Sequence, residues 1–173
     1  SLYDPGALKA LMRPFTDPKV GCVCGELHYT NPNEAGAAKG EGVYWRYEQL
    51  LKRGESRLSS LVGANGSIYA MRYELFDELG PNIISDFIMP IRIWRKRYKV
   101  VYAPQAVAYE SSGESFSVEF RRRTRIIARS LYGLWSEVGA LNPLRYGFFS
   151  FQLLSHKLLR WLVPLFMIAI LIG

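Results

Sequence analysis

The spacing of apolar positions changes along the chain, and each change marks an element. After Asp4-Pro5, the residues Ala7, Leu8, Ala10, Leu11 and Met12 recur at helical spacing up to Pro14. This predicts a first helix capped by Asp4 with Pro5 at its opening position. Val20 to Tyr29 is a mostly apolar run without that period and predicts a strand. Asn31 to Gly42 combines Asn, Pro and Gly with no large apolar side chain, which predicts a loop. Helical spacing returns over Val43 to Lys52, where Tyr44, Tyr47 and Leu51 share a face and Glu48 stands four residues before Lys52, the spacing of an ion pair. The aromatic face reads as core, with stacking of Tyr44 or Trp45 against a bound ligand as the less favoured alternative.

The second half is more sharply patterned. The apolar run around Asn65-Gly66 predicts a buried strand after a turn, both residues tolerating positive φ. Ser85-Asp86 opens a helix over Phe87 to Lys96, with Pro90 in its first turn, where a missing N–H costs little. Lys99–Tyr102 and Ala106–Glu110 read as two short strands around Ala103-Pro104. Phe116 to Trp135 is a helix with Phe116, Phe120, Ile127, Leu131 and Leu134 on one side and Arg121, Arg125 and Arg129 on another. Over Leu144 to Arg160, a stripe of Gln152, His156 and Arg160 is set against Phe148, Phe151, Leu158 and Leu159, the pattern of a helix lying at a membrane surface, with His156 a polar-face residue and not a ligand. The last thirteen residues, Trp161 to Gly173, are uncharged. A span takes ~20 apolar residues, so they read as the start of a transmembrane helix. With no initiating methionine and an end inside that run, the chain reads as an internal piece of a longer protein.

Composition adds location. The chain is 49% hydrophobic and 21% charged, a globular balance, and its net charge of +7 comes largely from basic residues between Arg92 and Arg129. Such a patch suits phosphate or an anionic membrane face. Nucleic acid is not expected as a partner, because no binding motif accompanies the charge. Cys22 and Cys24 alternate on one strand face and cannot comfortably bridge, and the only histidines, His28 and His156, lie elsewhere. They read as buried reduced thiols, which fits the cytoplasm.

Candidate chemistry centres on Asp86. One reading makes Asp86 or Ser85 a helix cap. The other makes Asp86 a general base, kept ionised by the helix dipole and nearby arginines. Beside it, the small residues of Gly63 to Ser67 would let a ligand approach closely, leaving the Asn65 amide and Ser67 hydroxyl free to bind it. The arginine stripe needs an anion, either a diphosphate or lipid headgroups, unless it is a solvated face.

Gly63-Ala64-Asn65-Gly66-Ser67, Ser85-Asp86-Phe87 and Arg122 to Ile126, in this order, with the Tyr44–Glu48 helix and the apolar tail, resemble the C-terminal half of the catalytic domain of membrane-bound family 2 glycosyltransferases. That group includes the cellulose, hyaluronan and poly-N-acetylglucosamine synthases, and the resemblance covers nearly the whole chain. It implies an α/β, GT-A-like (Rossmann-like nucleotide-sugar transferase) fold, present in part, over residues 1–115. An Arg-rich helix and an interfacial amphipathic helix would follow over 116–160, and the truncated transmembrane helix over 161–173. It implies an inverting transferase with Asp86 as base and with Gly63, Ala64, Asn65, Gly66, Ser67, Ser85, Arg122 and Arg125 binding substrate. A nucleotide-sugar, with a UDP-sugar favoured, would be the donor, and a saccharide or lipid-linked molecule the acceptor. Membrane lipids would be partners, with the catalytic domain on the cytoplasmic side of the cytoplasmic membrane. A divalent metal, Mg or Mn, would be held by an Asp-x-Asp that this chain lacks, and is therefore expected just upstream of Ser1. Two positions depart from the family's Gln-x-x-Arg-Trp: Arg122 stands for Gln and Ile126 for Trp, which leaves single transfer as open as processive synthesis. The alternative from another class is a non-catalytic, membrane-apposed scaffold or anion-binding module.

Overall fold

The computed structural model describes residues 1–30, 37–110 and 116–172, and only the backbone of helical residues 37–45, 116, 119, 164, 165 and 172. Four strands, β1 (Leu2–Tyr3), β2 (Val20–Tyr29), β3 (Tyr69–Met71) and β4 (Lys99–Glu110), make one mixed sheet in the order β1-β4-β2-β3. The two long strands β2 and β4 run parallel at its centre, and the short β1 and β3 are antiparallel edges. β2 is apolar at almost every position because both its faces are covered. Val20, Val23 and Leu27 pack toward helix α1 (Ala7–Met12), while Cys22 and Cys24 pack with Leu61, Leu75 and Ile93 on the other face. The thiols do share a face, and both are buried and free.

Several expectations change in detail. The first element is β1, a two-residue strand and not a helix, and α1 has Gly6 as its N-cap. Asp4 acts just before it, its Oδ1 accepting from the Gly6 N–H at 3.0 Å and its carbonyl from the Ala7 N–H at 2.9 Å. The two strands expected around Ala103-Pro104 are one strand, β4, with a bulge. Its register against β2 jumps from Cys24↔Tyr102 to Glu26↔Val107, so residues 103 to 106 face Gly25 alone. Pro104 has no N–H to give the ladder, and a Cβ on Gly25 would lie 2.4 Å from the Ala106 carbonyl oxygen.

Helix α2 runs from Ala37 to Leu58, longer at both ends than the Val43–Lys52 segment that the pattern predicts. Gly40, Gly42 and Gly54 do not stop it, since an isolated glycine costs a helix only about 1 kcal/mol. Residues 31–36 of the expected loop and the side chains of Tyr44 and Trp45 lie outside the described residues. The expected face is inverted: Tyr47 is exposed, whereas Glu48 and Glu55 are buried.

Helix α3 (Ser85–Arg95) sits beside the sheet and supplies Phe87, Ile88 and Ile91 to a core shared with Val62, Leu134, Phe149 and Leu153. Helix α4 (Phe116–Ser136) matches the predicted span but docks only by its C-terminal part, burying Ser130 and Leu134 while Phe120 and Leu131 remain exposed. The single helix expected over Leu144 to Arg160 is broken at Gly147, whose φ is +58°. It becomes α5 (Pro143–Tyr146), α6 (Phe148–Leu153) and a π-turn over Leu154–Leu158, which continues into α7 (Leu159–Ile172). Here the polar stripe faces inward: Gln152 is buried, and His156 and Arg160 meet acids of α2. Phe149 is also buried, stacked on Trp94 at 5.1 Å, while Phe148, Phe151, Leu154 and Leu159 face out. Among the described residues no helix is long and apolar enough to cross a membrane, so the expected start of a span is α7, helical and outwardly apolar but too short.

Candidate functional site

The site forms where the chain leaves the core after Leu61 and Val62 and turns through Gly63 to Ser67 before edge strand β3. Four bonds fix this turn. The Leu61 N–H reaches the Val100 carbonyl of β4 at 2.9 Å, and the Asn65 N–H reaches the Cys24 sulfur of β2 at 3.0 Å. Asn65 Oδ1 accepts from the Ser67 N–H at 3.2 Å, and the Ala64 N–H reaches the carbonyl of Asp86 at 2.7 Å.

The last bond follows from a proline. α3 starts at Ser85, so Pro90 lies in its second turn and not, as its spacing suggests, in the first. With no N–H at position 90, the Asp86 carbonyl four residues back has no helical partner. Ala64 fills it, and the turn is thereby tied to the backbone of Asp86.

The Asp86 carboxyl seats against Gly66. A Cβ at position 66 would come within 2.8 Å of Asp86 Oδ2. Glycine is needed here for close approach and not for positive φ, which among the described residues only Arg97 and Gly147 adopt. The cap reading of Ser85 and Asp86 is corrected: the N-cap is Ile84 and no side chain caps the helix. Ser85 Oγ instead accepts from the Tyr69 hydroxyl of β3 at 3.1 Å. Asp86 is half-buried, and its Oδ1 has no hydrogen-bond partner among the described residues. Burial raises its pKa above the usual carboxylate value; the Lys157 ammonium and the backbone N–H groups at Asp86, Gly66 and Phe87 pull the other way.

The turn's polar groups are less free than the sequence suggests. The Ser67 hydroxyl donates to Glu110 Oε1 at 2.7 Å, and its carbonyl accepts from the Tyr3 hydroxyl at 3.0 Å. Hydrogen bonds from the Ser1 and Ser67 hydroxyls hold the Glu110 carboxyl below its ordinary pKa. What remains open is the outer side of Gly66 and Ser85, the exposed residues of the two segments.

Arg122 and Arg125 lie on the exposed part of α4, with Arg122 in electrostatic reach of Glu110. The structure thus brings Gly63 to Ser67, Ser85 and Asp86 together at one sheet edge, and Arg122 toward its Glu110 side. The basic residue that acts on Asp86 comes from elsewhere, the π-turn before α7. Lys157 packs over Gly63, 3.6 Å from where a Cβ would stand, and burial pushes its pKa down. Trp161 meets Phe87 edge-to-face at 5.3 Å, so it borders the same site. No local pattern marks either residue for the site: Lys157 lies in a stretch whose spacing reads as an amphipathic helix, and Trp161 opens the uncharged run that follows it.

Behind the site, His156 is a half-buried ionic partner and not a polar-face residue turned to solvent. Its Nδ1 is 2.6 Å from Glu55 Oε1 and its Nε2 is 3.7 Å from Glu48 Oε1, while Arg160 also pairs with Glu48. Burial alone would lower the His156 pKa, but the Glu48 and Glu55 carboxylates leave it raised. The described residues do not make a metal centre: no group of three His, Cys, Asp or Glu side chains could hold an ion, and the cation beside Asp86 is an ammonium. A carboxylate with one unpartnered oxygen, at an open turn without side-chain bulk and beside a cation, can accept a proton from a hydroxyl brought over Gly66.

A family model described as "Glycosyl transferase family group 2" matches residues 1–173. Comparison with curated proteins gives no match.

Proposed function

The chain belongs to glycosyl transferase family group 2, and from that premise we propose that it is the acceptor-side part of an inverting transferase whose general base is Asp86. A glycosyltransferase domain takes a nucleotide-sugar donor and an acceptor; a UDP-sugar and a saccharide or lipid-linked acceptor are the proposed pair. The acceptor hydroxyl lies over Gly66 and attacks the anomeric carbon from the face opposite the nucleotide. The new C–O bond forms as the bond to the diphosphate breaks, and the hydroxyl proton passes to Asp86. The observation that carries this reading is the Asp86 carboxyl itself, half-buried, not used as a cap, and with Oδ1 left without a partner at the open edge of the sheet. An unsatisfied buried polar atom costs stability, and a catalytic role accounts for it. Burial also raises its pKa toward working pH, which strengthens a base.

Gly63 to Ser67 and Ser85 form the acceptor floor in this proposal, and Arg122 and Arg125 are proposed to meet the diphosphate or the acceptor from α4. The divalent metal that the family resemblance implies is expected on residues other than those described. The proposed position is the cytoplasmic face of a membrane. It is supported by the inverted pattern of residues 148–159, which directs Phe148, Phe151, Leu154 and Leu159 outward beside an exposed apolar α7.

The test is Asp86→Asn in the complete enzyme. Loss of a general base costs ~10² to 10⁴ in rate, so UDP release should fall by that factor while donor affinity and fold persist. Near-normal turnover in Asp86→Asn would place the base elsewhere; absence of turnover and donor binding in the parent would favour a scaffold.

A further inference from the structure

Lys157 is distant in sequence from the segments that form the site, yet it reaches them. It lies in the π-turn Leu154–Leu158, and such wide turns are frequent at functional sites. His156 and Lys157, adjacent in sequence, both meet the domain there: His156 pairs with Glu55 of α2, and Lys157 packs over Gly63. The neighbouring acids of α2 are occupied, Glu48 by Arg160 and Glu55 by His156. Lys157 itself makes no ion pair among the described residues, and Lys52 on α2 adds a repelling charge. Across the turn of residues 63–66 stands Asp86, whose Oδ1 also lacks a partner. The two opposite charges thus flank one turn, with Gly63 under the ammonium and Gly66 against the carboxyl.

We propose that Lys157 is a positioning residue for the transfer reaction, its ammonium supplying, across the Gly63–Gly66 turn, the positive field that keeps Asp86 a carboxylate in its half-buried seat. This rests on the reading of Asp86 as base. Burial and the ammonium oppose one another, so the carboxyl remains ionised in use without becoming as weak a base as a surface carboxylate. The charged and titratable groups acting here are Lys157, Cys24 of β2, and Lys52, Glu48, Glu55, His156 and Arg160 around the ammonium. Lys157→Gln removes the charge and keeps a polar side chain at the position.

The chain has four aspartates, Asp4, Asp17, Asp77 and Asp86, so [13Cγ]aspartate labelling gives a readable NMR titration, with Asp86→Asn identifying the Asp86 signal. In Lys157→Gln, and in Lys157→Met should that variant fold better, the Asp86 midpoint should move to higher pH while the other three stay. Lys157→Arg should leave all four in place. The reciprocal measurement keeps Lys157 intact: in Asp86→Asn, the [13Cε] midpoint of Lys157 should move to lower pH, since a neighbouring negative charge is gone. An unmoved Asp86 midpoint in the neutral variants, or an unmoved Lys157 midpoint in Asp86→Asn, overturns the proposal. Turnover separates it from the reading beneath. The acid limb of kcat/KM for UDP release from UDP-glucose or UDP-N-acetylglucosamine should move up in pH in Lys157→Gln and stay in Lys157→Arg. Normal turnover in Asp86→Asn defeats the base assignment alone, because the NMR coupling between the two charges is measured without it.

Discussion

At Gly66 a missing side chain is what lets a carboxyl reach the edge of the turn. Placing a Cβ 2.8 Å from Asp86 Oδ2 must push the carboxyl or the turn away. Gly66→Ala should therefore lower kcat at least ~10-fold while leaving donor affinity near normal, since a displacement of about 1 Å at reacting groups is enough to cost ~10²-fold. A comparable fall in donor affinity would argue against this picture. Asp86 also sets a stability trade. Its folded pKa is raised above the ordinary value of 3.8, so its contribution is present below that value and is lost as pH rises through the raised one. Above that point the fold carries a half-buried charge. Asp86→Asn should accordingly melt no lower than the parent at pH 7, and higher relative to it than at pH 3; a lower melting temperature at pH 7 would contradict the linkage. At this scale the sequence singled out Asp86 and the glycines, which the fold sets side by side, but not the partners of the residues around them. Ser67's hydroxyl was read as free because Glu110, 43 positions away, is invisible to local pattern.

Helix α3 is held at both ends by backbone devices. At its start, Pro90 releases the Asp86 carbonyl to Ala64, so a residue that reads as a helix opener is instead a tie to the turn. At its end, the Arg97 N–H bonds the Trp94 carbonyl at 2.8 Å and the Tyr98 N–H bonds the Ile93 carbonyl at 3.1 Å, which requires Arg97 at φ 70°. An L-residue pays for that conformation, and Arg97→Gly should stabilise the protein by about 1 kcal/mol, read as a higher denaturation midpoint with unchanged m-value. A lower midpoint would show that the Arg97 side chain contributes more than its backbone costs. Helix boundaries elsewhere moved for similar reasons. α2 runs through three glycines that pattern treats as stops, and the expected Leu144–Arg160 helix breaks at Gly147.

On the scale of the molecule, the C-terminal segment is joined to α2 by an ionic latch of Glu48, Glu55, His156 and Arg160. The folded pKa of His156 is raised above 6.5, so its contribution to stability is complete below that value and is lost as pH rises through the raised one. The melting-temperature gap between parent and His156→Gln should be largest near pH 6 and should narrow by pH 9. A gap independent of pH would mean that His156 serves by packing alone. The same latch carries Lys157 and Trp161 to the site, so opening it should loosen the site as well.

The sequence by itself determined the α/β class, the span of α4 and the carboxylate at the head of α3, because each is written in short-range periodicity and residue chemistry. The order of its motifs was also sufficient for the family resemblance. Tertiary structure alone decided which face of each helix is buried, and the inversion at Glu48, His156 and Arg160 shows why. A charged residue reads as solvated until a partner of opposite charge from another element makes its burial affordable. It also set Lys157, and not the arginine stripe of α4, across the Gly63–Gly66 turn from Asp86. That placement depends on a π-turn, on Gly63 having no side chain and on the packing of Trp161 against Phe87, and none of these contacts has a signature within its own stretch of chain.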